Sequence, residues 1–161
     1  MAGEGIFGSS GTCLNLRFPA ISPRFQNSRA LSGTVTRINC VDPSELTGPH
    51  LVAEYRELPR VFALVRSAIE RGEAPTDARI PSVYTLGKGH VRFFYPRLGY
   101  LAKRQAAIID EMLARGYSPQ FTNIDQLLDG FPDVWCNDWE PTEDAVAINR
   151  ARISERLAKR P

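Results

Sequence analysis

Residues 49–71, PHLVAEYRELPRVFALVRSAIER, decide how this chain folds. Leu51, Tyr55, Leu58, Phe62, Val65 and Ile69 recur there at alternating steps of four and three, which draws a single apolar stripe along a helix. Gly72 follows as a stop, since glycine enters the left-handed conformation that closes a helix. Pro59 interrupts the run, removing one intrahelical hydrogen bond and crowding the preceding turn, so a kink is expected between Tyr55 and Pro59. Two further helices complete the set. One covers about Leu98 to Arg115, with Leu101, Ile108, Ile109 and Met112 on a face and Gly116 as its end signal. The other opens after Thr142, a good N-cap, carries Glu143 and Asp144 at the positive end of its dipole, and runs to about Lys159. Residues 80–95 mix Pro81, Gly87 and Gly89 with Val91, Phe93, Phe94 and Tyr95, and predict an irregular crossing with extended portions whose aromatics fill core. Residues 117–140 predict a long loop with at most one short helical turn. The fold class is all-α: a compact single domain of three main helices with long irregular connections.

Residues 1–35 differ from the rest. They are rich in Gly and Ser, carry no sustained period, and read as a weakly ordered leader ahead of a domain at 36–161. The formal charge of +2 comes from this leader, where Arg17, Arg24 and Arg29 face only Glu4. The domain is balanced, so a phosphate-binding surface would have to arise by segregating its charges. Cys13, Cys40 and Cys136 form no Cys-x-x-Cys pair, and His50 and His90 are the only histidines, a poor inventory for zinc or a disulfide framework. No metal and no cofactor are expected. No apolar run approaches the ~20 residues that span a bilayer, and a reducing, cytoplasmic setting without a membrane is the simplest expectation.

Arg56 and Arg60 stand four apart with Glu57 between them, and Arg152 and Arg156 repeat that spacing on the last helix. A solvated salt-bridged face explains the first set, and complementing the helix dipole explains the second. Together with Arg37 they also suit a surface that grips phosphates through charge-assisted contacts. His50 reads as a capping or surface residue, and His90, between Gly89 and Val91, as structural. Gly87-Lys88-Gly89 lacks the remaining positions of a phosphate-cradling loop.

The blocks Thr36-Arg37-Ile38-Asn39, Ala53-Glu54-Tyr55-Arg56-Glu57-Leu58-Pro59-Arg60-Val61-Phe62, Leu86-Gly87 with Gly89-His90-Val91, Phe93-Phe94-Tyr95, Lys103-Arg104-Gln105 and Ala151-Arg152 resemble the pyrimidine-dimer DNA glycosylases of the phage endonuclease V type, from Thr36 to Pro161. The resemblance implies an all-helical fold with its N-terminal segment threaded between helices. It also implies a monomeric, nucleoid-associated DNA-repair enzyme that excises UV-induced cyclobutane dimers from double-stranded DNA and cleaves abasic sites. By position, Thr36 matches the nucleophilic terminal threonine and Glu57 the essential carboxylate. Arg37, His50, Arg56, Arg60, Arg152 and Arg156 match DNA-contacting or active-site polar positions, with Arg156 in place of a lysine, an exchange that keeps charge but alters donor geometry.

A terminal threonine fits a chain that begins at Val35, read as an initiating methionine and then removed. An α-amine titrates near ~8, so a useful fraction is neutral and nucleophilic at physiological pH, and nearby arginines lower its pKa further. The residues alone leave two other readings open. One is a non-catalytic damaged-DNA binder, in which Thr36 is an ordinary amide; the other is a helical protein-interaction module. Trp135 and Trp139 have packing and base-stacking readings, with packing favoured.

Overall fold

A computed structural model of the chain describes residues 37–158. The leader, Val35 and Thr36 at one end, and Lys159, Arg160 and Pro161 at the other, lie outside the described residues. Among the described residues the architecture is all helical: α1 (Gly48–Glu57), α2 (Pro59–Glu70), α3 (His90–Phe93), α4 (Leu98–Ala114), α5 (Asp125–Leu128) and α6 (Glu143–Ala158), with single 3-10 turns at Pro43–Glu45 and Asp133–Trp135. Three bodies dominate: α1 with α2, α4, and α6.

The kink falls where the proline demands it. Leu58 retains helical angles, its N–H donating to Glu54 O at 2.9 Å, and Pro59 becomes the first residue of α2. Pro59 has no N–H to offer the Tyr55 carbonyl four residues back. The Gln105 amide, fully buried on α4, donates to that carbonyl instead at 3.2 Å. The break in one helix is thus mended by a side chain of another, which also ties α1 to α4.

The apolar stripe goes into the core as its spacing requires. Leu51, Leu58, Phe62 and Val65 are buried, with Tyr55 and Ile69 packed at its edge. Leu101, Ile108 and Met112 of α4 meet them there. On α6, the Ala145 N–H donates to Thr142 Oγ1 at 3.2 Å, the expected cap.

Residues 80–95 depart from the expected extended portions. Gly87 and Gly89 take φ of 98° and 92°, turning the chain into the short α3, and no strand forms among the described residues. The strand preference of Val91, Phe93, Phe94 and Tyr95 yields to packing, because Phe93, Phe94 and Tyr95 are all buried. Tyr84, Phe93, Phe94 and Tyr100 gather around Trp139, which stacks on Tyr84 with centroids 5.6 Å apart. Trp135 is buried as well. Both tryptophans are packing residues.

The segment from Arg37 to Val41 is threaded through this frame. Ile38 and Val41 are buried, and the segment bonds to side chains of α1, α3, α4 and α6.

Candidate active site

Two helices supply the walls. On α1, His50, Glu54 and Glu57 follow one another at four and three residues, so they rise along one side of the helix. On α6, Asn149, Arg152, Ile153 and Arg156 repeat the pattern. With Arg37 to Asn39 and Leu86, these residues line a hollow of about 290 Å³.

At its base lies a buried polar network. Glu54 is 2% exposed and Arg104 is 6% exposed, figures that demand pairing. Arg104 Nε and Nη2 reach Glu54 Oε1 and Oε2 at 3.0 and 3.2 Å. Burial works against the Arg104 charge, but the adjoining carboxylate more than restores it and raises the guanidinium pKa. Asn39 donates to the same carboxylate from its backbone N–H at 3.0 Å and from Nδ2 at 2.6 Å. Asn149 completes the network, accepting from the Cys40 N–H at 3.1 Å and donating to Asn39 Oδ1 at 3.2 Å.

Above the network the hollow is basic. Since Arg104 neutralises Glu54, the lining presents Arg37, Arg56, Arg152 and Arg156 around Glu57. Two nitrogens of the lining, Arg37 Nη1 and His50 Nδ1, are buried without a hydrogen-bond partner among the described residues. Donors and acceptors so placed are costly until water or a ligand satisfies them. Glu57 keeps 29% of its side chain exposed and holds Arg60 at 2.7 Å; Arg152 pairs with Glu155 at 2.6 Å.

The structure therefore brings Arg37, His50, Arg56, Glu57, Arg152 and Arg156 to one cavity. Arg60 is absent from the lining and reaches it only through Glu57. Thr36, the expected nucleophile, lies outside the described residues, although Arg37, its neighbour in sequence, lines the hollow. His90 is structural: it is buried, its Nε2 accepts from the Ile38 N–H at 3.1 Å, and its Nδ1 lies 2.8 Å from Thr85 O. Burial pushes its pKa down, and with Nε2 accepting from Ile38 the ring proton is on Nδ1, facing Thr85 O.

Spacing alone points to no role for Asn39, Glu54 or Asn149. A signal for Glu54 was present, because it falls between Leu51 and Leu58 on the apolar stripe; Arg104 falls likewise between Leu101 and Ile108. A carboxylate and a guanidinium on facing apolar stripes point to one another.

A second hollow, of about 440 Å³, opens beside the first and shares Arg56 with it; Tyr55, Tyr117, Gln120 and Phe121 form part of its lining. The Tyr55 hydroxyl holds its rim, accepting from the Phe121 N–H at 2.8 Å.

The family model for pyrimidine dimer DNA glycosylases matches residues 35–125, more than half of the chain, and spans Arg37, His50, Arg56, Glu57 and the buried Glu54–Arg104 pair. This chain belongs to the pyrimidine dimer DNA glycosylase family.

Proposed function

We propose that the protein excises cyclobutane pyrimidine dimers from UV-damaged double-stranded DNA and cleaves the strand at the resulting abasic site, through an imine between the sugar and the α-amine of Thr36. The reading takes the active form to begin at Thr36. The observation that carries it is the hollow itself: Glu57 set among arginines, above a Glu54 already paired with Arg104, beside the segment that leads from residue 36.

In this reaction the neutral amine attacks C1′ of the 5′ deoxyribose, and the bond from C1′ to the base nitrogen breaks with the electron pair leaving on the base. The sugar ring opens to a protonated imine. That cation acidifies C2′, whose proton is lost as the bond from C3′ to its phosphate oxygen breaks, which is β-elimination. Water then releases the amine. Glu57 stabilises the positive charge developing on the sugar and moves protons during ring opening and elimination. Arg37, Arg56, Arg152 and Arg156 hold phosphates, and the unpartnered nitrogens of Arg37 and His50 take acceptors of the substrate. Arg60 orients Glu57 through its ion pair and stands near the phosphate path. Reaching the sugar requires distorting the duplex, which costs less at a dimer because pairing and stacking are already weakened. We assign the second hollow, which shares Arg56, to a base turned out of the stack.

Borohydride trapping on UV-irradiated and abasic duplexes tests the proposal. Protein beginning at Thr36 should give a covalent adduct and a cleaved strand. Glu57→Gln should lower the rate by about 10²- to 10⁴-fold while abasic DNA is still bound. Binding without any adduct from the Thr36-terminated protein would make it a damaged-DNA binder, and absence of binding would leave the interaction-module reading.

A further inference from the structure

Three consecutive backbone amides in the threaded segment donate to side chains, each from a different helix. Ile38 N–H donates to His90 Nε2 on α3 at 3.1 Å, Asn39 N–H to Glu54 Oε1 on α1 at 3.0 Å, and Cys40 N–H to Asn149 Oδ1 on α6 at 3.1 Å. We propose that His90, Glu54 and Asn149 are positioning residues that lock the register of this segment, and so fix where the residue-36 amine meets Glu57; the proposal rests on the imine reading given above.

Acceptors on three separate elements, each placed for one amide, cannot be satisfied together after the segment slides. Side-chain contacts reinforce the register. Ile38 fills a fully buried position, and Asn39 is gripped on both sides by Glu54 and Asn149. Arg104 holds Glu54 in its orientation and also donates to Val41 O.

Stability alone is a weak reason for this construction. A buried ion pair often contributes no more than well-packed apolar residues of the same volume, and specificity of arrangement is the better-supported use of such groups. Here the arrangement has a consequence for rate. Glu57 lies three residues, about 4.5 Å of helix rise, beyond Glu54. Residue 36 lies three residues before Asn39, within about 10 Å of chain. One carboxylate thus anchors the segment on the helix that carries the other. A register error of one residue moves the chain by up to about 3.6 Å. Misplacement of even about 1 Å at a reacting group can cost on the order of 100-fold.

The test uses protein beginning at Thr36, with single-turnover borohydride trapping on saturating abasic-site duplex and binding to a duplex carrying a tetrahydrofuran abasic analogue. His90→Phe keeps an aromatic ring but loses the acceptor, His90→Gln restores an acceptor near Nε2, and Asn149→Ala removes the grip on Cys40. Circular dichroism at the assay temperature establishes that each variant is folded, and the comparison of His90→Gln with His90→Phe stands without Asn149→Ala should that variant fail to fold. The expected result is a trapping rate at saturation at least about 10-fold lower for His90→Phe and Asn149→Ala, substantial recovery in His90→Gln, and analogue affinity within about twofold of the parent throughout. Folded variants that trap at the parent rate, or His90→Gln as slow as His90→Phe, would overturn the positioning role while leaving the imine chemistry intact. A parent protein that binds abasic DNA and gives no adduct would remove the imine reading, and this inference with it.

Discussion

Gln105 shows how much one side chain can carry. Its amide takes the place of the N–H that Pro59 lacks, at a part-buried carbonyl the kink would otherwise leave unpaired. Gln105→Leu fills similar space but orphans the Tyr55 oxygen. It is expected to lower unfolding stability by about 1–3 kcal/mol, read as a shift in the urea midpoint at unchanged m. An unaltered midpoint would show that the carbonyl finds another donor. At this scale legibility divided along physical lines. The i, i+4 spacing of Arg152 and Arg156 was legible, and both line one hollow with Arg37, His50, Arg56 and Glu57. Asn39 and Asn149 were not legible, because an amide far away in sequence gives no local sign of which backbone group it will meet.

Among the elements, the helices legible in advance were those with long periodic stripes. Leu51 to Ile69, Leu101 to Met112 and the capped start of α6 each stated their own limits through Pro59, Gly116 and Thr142. The short α3 did not, since His90–Phe93 is too brief for a period and its Val91 and Phe93 favour strands. Packing of Phe93 and Phe94 around Trp139 decides its conformation. This element also introduces a pH dependence. Buried His90 has its pKa lowered in the folded protein, whereas in the unfolded chain it titrates near ~6.5. Below that pH the unfolded chain takes up a proton that the native state refuses, so the His90 contribution to stability is full above about 6.5 and is lost as pH falls through the folded value. Protonation also removes the acceptor for the Ile38 N–H. Urea titrations between pH 8 and 5 should therefore show a decline beginning near ~6.5 that is reduced in His90→Gln. An identical decline in that variant would place its origin elsewhere.

For the described structure as a whole, the relevant property is charge placed rather than charge summed. The formal total of +2 says nothing of DNA, yet folding gathers Arg37, Arg56, Arg152 and Arg156 around one cavity. Phosphate binding by such a wall releases counterions, so affinity should fall steeply with salt. Arg152→Ala should weaken binding to duplexes of any sequence and reduce the slope of log affinity against log salt by about one. A salt slope equal to the parent's would remove Arg152 from the phosphate contacts.

Peptide mapping of the trapped adduct identifies the one nitrogen that forms the imine. Protein beginning at Thr36 is reduced with borohydride on an abasic duplex, digested with nuclease and protease, and the modified peptide sequenced by mass spectrometry. An imine at Thr36 leaves the sugar remnant on its α-nitrogen and none on any lysine. A remnant on a lysine side chain, or an adduct formed equally well when a residue precedes Thr36, would contradict it.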